Sequence, residues 1–351
     1  MKKTIMMVAG DPGPSGLFEV LADELTRLGH VVNLLVRKDL PDVVSGKHID
    51  SIKTSNALLV GMSSTSEVAA SEIACAELAI SYGVPVGLLP DTFGVISRQG
   101  FEEVGRKASF ACVLNEDEKY HDRSVVKPEI SYVTGDPRWD IYFAPPRLTR
   151  EEVFGRLGVG LDRELVLFAG SKFSIMTAGP LMIGLTAIHG LDPSAARIHA
   201  VLGLHPADEC TAGEYEHQVT NLFRNSPVSF SILPDELKTD EMLPHAVLVI
   251  GTSSSTTIHT ACRRKPGLWP GGNPWEMELY ASIRTFAWPP CDQGAFLRRK
   301  GLTPELLGEL LDPDSKVRKD MLLAQEKMFP KPEGSETAVS EMTRVILAHA
   351  K

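Results

Sequence analysis

After the apolar run AVLVIG (246–251), Thr252 is followed by the consecutive hydroxyl residues Ser253, Ser254, Ser255, Thr256 and Thr257, which open a helical stretch. Hydroxyls and unpaired backbone N–H groups at the positive end of a helix suit an anion. The pattern therefore predicts a diphosphate seat over Ser253, Ser254, Ser255 and Thr256. The ordinary alternative is a helix cap, for which one such residue suffices. His205, in LHPAD (204–208), leaves a second apolar run just before Pro206, where a helix is expected to start. Its imidazole can donate to a phosphate or a base edge, and as imidazolium it can pair with the charge of a departing nucleotide. In FAGSKFS (168–174), Gly170 allows a ligand close to the backbone, and Ser171 and Lys172 offer a donor and a positive charge. A solvated lysine after a strand is the plain alternative.

Candidate acids and bases lie earlier in the chain. Asp91 stands at the end of PVGLLP (85–90), and Glu102 and Glu103 open a short helical segment beyond it. A carboxylate at a strand end can act as general base, with Asp91 the first choice, although each of the three can equally be a helix cap or a solvated helix start. GDPGPSG (10–16) contains three glycines but neither GxGxxG nor GxxxxGK[ST], which argues against an NAD enzyme and a P-loop NTPase. Gly13 and Gly16 remain candidates for contact with a sugar or acceptor. So do Trp275 and Glu276 of GGNPWEMELY (271–280), where a packed tryptophan is the alternative. None of these loops carries a DxD run, so no metal and no resident cofactor are expected.

The elements that must hold these residues are strands and helices in alternation. TIMMVA (4–9), VVNLLV (31–36), ALLVGM (57–62), PVGLLP (85–90), FACVLN (110–115) and ISYVTG (130–135) read as buried strands. GDPGPSG reads as a loop, Leu17, Leu21, Leu25 and Leu28 recur at helical spacing, and residues 66–82 form an Ala-rich helix. The cycle restarts with ELVLFAG (164–170), ARIHAVLGLHP (196–206), VSFSIL (228–233) and AVLVIG (246–251). Such alternation predicts an α/β protein with parallel sheets covered on both faces. Pro137, Pro145 and Pro146 mark a seam near residue 142. From about 293 the chain reads as helical, ending in an amphipathic segment with Val339, Met342 and Ile346 on one face.

Length and charge bound the function. A chain of 351 residues is expected to form two domains. Lys and Arg number 36 against 45 Asp and Glu, and a net charge of −9 argues against a protein that coats nucleic acid, although a local basic groove is not ruled out. Five cysteines without a CxxC pair, a short N-terminal apolar run and no membrane-length stretch point to a cytoplasmic protein.

The chain resembles the GT-B superfamily of nucleotide-sugar glycosyltransferases and UDP-N-acetylglucosamine 2-epimerases. The resemblance is carried by YVTGDPRWD (132–140), LHP (204–206) and AVLVIGTSSSTTIHTACRRKP (246–266), and it spans most of the chain. It implies two Rossmann-like domains facing across a cleft: 1–142 receiving the acceptor, 143–334 gripping the nucleotide sugar, and a helix in 335–351 crossing back to the first domain. Departures from the epimerase pattern are specific. Ser63 stands where epimerases have an aspartate, Pro90 where they have a glutamate with Asp91 one place on, and Ser171 where they have a histidine. Glu102 and Glu103 match the later acidic pair, and the acid that holds ribose in many relatives falls near Ile258 and His259. With most epimerase acid/base groups missing, the resemblance implies a metal-independent glycosyltransferase using a nucleotide-diphosphate sugar as co-substrate, UDP-linked on family prevalence. The acceptor and the oligomeric state are left open. A divergent 2-epimerase and a non-catalytic nucleotide-sugar binding protein are the alternatives.

Overall fold

A computed structural model describes residues 1–36, 46–64, 66–191, 194–224, 226–252, 254–271, 288–332 and 337–351. The chain divides into two compact units, the first comprising Met1–Ile141 with Pro332–Lys351 and the second Tyr142–Lys331.

Among the described residues, the first unit holds β1 (Thr4–Ala9), β2 (Val31–Val36), β3 (Ala57–Val60), β4 (Val86–Leu88), β5 (Phe110–Val113) and β6 (Ser131–Val133). They form one sheet in the order β2-β1-β3-β4-β5-β6, with every neighbouring pair parallel. Alternate residues of β1 explain why this strand is apolar throughout. Met6 and Val8 pack into the core on one face, and Ile5, Met7 and Ala9 into the core on the other. Parallel strands buried on both faces leave no polar side to alternate with.

The last helix, Ala338–His349, supplies Met342, Val345 and Ile346 to the second of these cores, beside Leu17, Leu21 and Leu25 of the helix Pro12–Arg27. Asp140 holds its start, with Oδ1 accepting from the Ala338 N–H at 3.2 Å and Oδ2 from the Val339 N–H at 3.1 Å. At its other end Lys3 Nζ donates to the Leu347 carbonyl at 3.0 Å.

The second unit repeats the plan with β7 (Glu164–Ala169), β8 (Ile198–Gly203), β9 (Ser229–Ile232), β10 (Ala246–Ile250), β11 (Gly267–Trp269) and β12 (Leu297–Arg298). The order is β12-β11-β10-β7-β8-β9, again parallel throughout. Strand order reverses between β10 and β7 here, and between β1 and β3 in the first unit. Open parallel sheets bind ligands outside the carboxyl ends of the strands at such switch points.

Four local expectations are corrected. Helix Pro12–Arg27 begins inside the expected loop, because Pro12 and Pro14 occupy the first turn, where the N–H groups they lack have no intrahelical partner. Leu28 falls at its C-cap and is 45% exposed, so it does not share the buried stripe. Pro206 and Ala207 form a turn; the following helix starts at Ala212, where Thr211 and Glu214 make a reciprocal capping box. β12 interrupts the helical reading beyond 293. It is only two residues long and pairs through Leu268↔Leu297 and Trp269↔Arg298, too short to show a period.

Candidate functional site

In the second unit, adjacency of β10, β7 and β8 sets three loops side by side. The Gly170 N–H donates to the Gly203 carbonyl at 2.8 Å. A Cβ on Gly170 would lie 2.7 Å from that oxygen and 3.0 Å from the His205 nitrogen, so the room left by this glycine is filled by the chain at 203–205. Gly251 is close to Ala169 in the same way, since a Cβ there would fall 3.1 Å from the Ala169 methyl. Ser171, His205 and Gly251 are thereby gathered at the carboxyl end of the sheet.

Two helices leave the switch point. One, Ser174–His189, follows β7, and the other, Ser255–Cys262, follows β10. Neither N-terminus carries a side-chain capping hydrogen bond, although Ser254 is the N-cap of the second. The other described helices of eight or more residues in this unit are capped, by Thr149, Thr211, Thr303 and Ser315. Ser254 uses its carbonyl instead, accepting from the Thr257 N–H at 3.0 Å and from the Thr257 hydroxyl at 2.7 Å. Thr257 is buried and its oxygen also accepts from Trp288 Nε1 at 3.0 Å, and Thr260 back-bonds to the Thr256 carbonyl at 2.6 Å. Ser255 is exposed and Thr256 half-buried. Lys172 is exposed with Nζ 4.9 Å from the centre of the Phe173 ring. His205 is exposed too, its Nδ1 accepting from the Ala207 N–H at 3.0 Å. Ser253, Trp275 and Glu276 lie outside the described residues.

In the first unit Asp91 follows β4 and packs against the start of helix Pro12–Arg27. A Cβ on Gly13 would fall 2.0 Å from Asp91 Oδ2, so only glycine leaves space for the carboxylate. Arg138 ties the cluster together. It donates from Nη1 to the Gly13 carbonyl at 2.8 Å, from Nη2 to the Asp91 carbonyl, and from Nε to both oxygens of Asp136 at 3.0 Å, and Nη2 also pairs with Asp136. Its distance to Asp91 Oδ2 is 3.8 Å, and the Asp91 side chain is 13% exposed. Burial holds the Asp91 carboxyl above its usual range; Arg138 and Arg98 oppose this, and Asp136 reinforces it. Gly16 is open by comparison, its nearest neighbour for a Cβ being Arg138 Cδ at 3.9 Å. Glu102 and Glu103 are exposed at the start of helix Glu102–Lys107. Glu102 accepts from the Gly100 N–H at 2.8 Å, and Glu103 pairs with Arg106.

Sequence reading missed Glu72, which is fully buried behind the β1/β3 switch point. Its carboxylate accepts from the Gly10 N–H at 2.8 Å, the Ser63 N–H at 2.8 Å and the Ser63 hydroxyl. Ser63 Oγ in turn accepts from the Asp11 N–H at 2.8 Å. Ser63 thus stitches the two loops rather than standing open. Burial raises the Glu72 carboxyl, against the bonds from Ser63 and Gly10. A signal was present: Glu72 lies three residues after Ala69 and four before Ala76, on the helix face that also buries Cys75 and Ala79.

Among the described residues, no three His, Cys, Asp or Glu side chains gather as a metal site, and no helix is long and apolar enough to cross a membrane. Burial pushes the Cys75 thiol up to about 11 and Cys291 up to about 12.

No protein-family model matches the chain, and no curated protein matches it. Solved structures do. A candidate UDP-N-acetylglucosamine 2-epimerase from Listeria monocytogenes superposes with a TM-score of 0.66 at 14% identity, covering 99% of this chain and 97% of that one. HepE from Anabaena, in complex with UDP, gives 0.59 at 12% identity and 99% coverage of both chains. The wall teichoic acid polymerase TagF gives 0.54 at 12%, covering 99% of this chain and 88% of that one. The fold is GT-B-like.

In this GT-B-like chain two further groups sit behind the loops. His199, on β8, is buried with Nδ1 2.8 Å from Ser229 Oγ and Nε2 2.9 Å from Ser231 Oγ. Both ring nitrogens are satisfied inside the sheet, and burial lowers its pKa to about 4, so it is a neutral structural histidine. Asp240 accepts from the Tyr142 hydroxyl at 2.9 Å and lies 3.1 Å from His259 Nδ1, while the rings of Tyr142 and His259 stack with centroids 4.0 Å apart. His259, near the position where the resemblance has its ribose-binding acid, is therefore engaged with an aspartate from another segment.

Proposed function

We propose that the protein is a nucleotide-sugar enzyme that moves a sugar from a UDP-linked donor to an acceptor hydroxyl. The observation that supports this most is the pair of helices leaving the β7/β10 switch point, whose N-termini have no side-chain cap while the comparable helices of the unit do. Helix starts without a side-chain cap favour an anion, and a diphosphate carries the charge that such donors meet. In this reading Ser254, Ser255, Thr256, Lys172 and His205 meet the diphosphate together with Ser253. Ser171 offers its hydroxyl, because its N–H is already bonded to Thr177 Oγ1 at 2.9 Å. Charge developing on the leaving UDP is stabilised by these donors without a metal. Transfer breaks the bond from the anomeric carbon to the diphosphate oxygen and forms one to the acceptor oxygen, whose proton passes to Asp91. A buried carboxyl with a raised proton affinity suits that task. Glu102 and Glu103, exposed and locally bonded, are the weaker choices for the base. Five cysteines, an odd number with no CxxC pair, suit a reducing, cytoplasmic setting.

A second reading, 2-epimerisation, draws on the solved neighbours that carry that description. Product analysis separates the two: free UDP with a glycosylated product supports transfer, and sugar isomers that remain nucleotide-linked support epimerisation. The seat itself is tested by calorimetry with UDP and uridine. Ser254→Ala and His205→Ala should each weaken UDP roughly ten- to a hundredfold, the usual cost of losing a hydrogen bond to a charged group, and leave uridine nearly unchanged. Equal losses for both ligands, or none, would remove the seat from this loop.

A further inference from the structure

Behind the loop that follows β7 lies a hydrogen-bonded chain that none of the proposed ligand contacts requires. The Ser171 N–H donates to Thr177 Oγ1 at 2.9 Å, and the Thr177 hydroxyl donates to Asp208 Oδ2 at 2.9 Å. The same hydroxyl lies 3.2 Å from the Ser171 carbonyl, but it has a single proton, and a carboxylate is the stronger acceptor. The Tyr215 hydroxyl donates to Asp208 Oδ2 at 3.0 Å, and the Cys210 N–H donates to Oδ1 at 3.0 Å. Thr177 and Tyr215 are buried, 2% and 0% exposed. Burial raises the Tyr215 hydroxyl well above its ordinary pKa, so it remains a donor.

The chain joins three pieces of sequence. Thr177 sits in the first turn of helix Ser174–His189, Asp208 lies in the loop that carries His205, and Tyr215 belongs to helix Ala212–Leu222. The Asp208 N–H also donates to the His205 carbonyl at 2.9 Å, closing the turn at the other loop. One carboxylate is thereby bonded, through one hydroxyl, to the loop at Ser171 and, through its own backbone, to the loop at His205.

We propose that Asp208 and Thr177 are positioning residues that lock the Ser171 and His205 loops in register for the diphosphate. The proposal rests on the nucleotide-sugar reading for its ligand, but the lock itself is a property of the ligand-free chain. The Asp208 charge is spent on three donors, so it fixes geometry instead of contacting the ligand. Loss of the Thr177 hydroxyl leaves the Ser171 N–H without its partner and Asp208 Oδ2 with the Tyr215 hydroxyl alone, and frees the loop between Gly170 and Phe173.

Two measurements on the full-length protein test this with Thr177→Val, which removes the hydroxyl at nearly constant shape, and Thr177→Ser, which keeps it. Amide hydrogen exchange without ligand should accelerate about tenfold across residues 170–173 in Thr177→Val and remain near the parent rate in Thr177→Ser. Calorimetry should show UDP weakened about tenfold in Thr177→Val, uridine changed less than about twofold, and both restored in Thr177→Ser. Unchanged exchange in Thr177→Val overturns the lock whatever the ligand results. Faster exchange with UDP and uridine lost equally, or with neither lost, overturns the positioning role. A parent protein that binds neither UDP nor uridine overturns the nucleotide reading and the ligand half of the proposal, and exchange still decides whether the lock exists.

Discussion

Replacing Glu118 by glutamine should flatten the pH dependence of stability in the first unit. Glu118 is 3% exposed, its Oε1 accepts from the Gly94 N–H at 2.9 Å, and its Oε2 is buried without a hydrogen-bond partner. Burial dominates and pushes the carboxyl from 4.5 up to about 7; the Gly94 bond opposes it and the Asp117 charge adds to it. A folded-state value above the unfolded one means that the native chain holds the proton more tightly between these limits. The associated stability is therefore fully present below about pH 4.5 and is lost as pH rises through about 7. The gap corresponds to roughly 3 kcal/mol between pH 4.5 and pH 8. Glutamine keeps a carbonyl for Gly94 but places an amide at the buried Oε2 position, at a cost of about 1–3 kcal/mol that does not vary with pH. The difference between the two proteins is thus diagnostic in its slope and not in its absolute value. Urea titrations at several pH values, read by pulsed hydrogen exchange in peptides from β1 and β3, isolate the unit concerned. Parallel curves for Glu118→Gln and the parent between pH 5 and 8.5 would refute the reasoning, because the carboxyl would then titrate alike in both states.

Three other perturbations follow the same logic. His199→Gln should flatten the acid limb of the second unit: with its pKa lowered from 6.5 to about 4, His199 contributes stability above 6.5 that is lost as pH falls toward 4, roughly 3 kcal/mol, checked by exchange in β7 peptides. Gly13→Ala should destabilise the first unit by about 1–3 kcal/mol in urea denaturation, since its Cβ would meet Asp91 Oδ2 at 2.0 Å. The loss should shrink in an Asp91→Ala background, and an additive double mutant would count against the contact. Asp140→Ala should cost about 0.5–2 kcal/mol and speed exchange at the start of helix Ala338–His349, where Asp140 accepts two N–H groups; unchanged protection there would mean that Thr337 alone caps the helix.

Much of the fold was legible because strands buried on both faces must be apolar at every position. TIMMVA and ELVLFA coincide with β1 and β7 for that reason. β11 and β12 were not legible, being three and two residues long and distinguished only by what they pair with. The carboxyl-end loops were equally accessible to sequence reading, since Ser254, His205 and Ser171 each follow an apolar run. Their neighbourhood was not, because strand order is not written in strand sequence: β10 follows β9 in the chain yet pairs with β7. Arg138 and Asp136 stood in the quoted segment GDPRWD, but their chemistry appears only once Gly13 and Asp91 are beside them.

By itself the sequence determined the alternation of strand and helix, the parallel sheets and the presence of a polar loop after each central strand, because these depend on periodicity within a few residues. The partners were decided by tertiary structure alone. Glu72 reaches Gly10 across 62 residues, and Arg138 reaches the Gly13 carbonyl across 125. Whether a glycine serves a ligand or a neighbouring strand was decided there too. Gly13 makes room for Asp91, and the space beside Gly170 is taken by the backbone of residues 203–205. The physical reason is that the burial that raises the carboxyls of Asp91, Glu72 and Glu118, and the hydrogen bonds that oppose it, depend on groups brought together only when the sheets close.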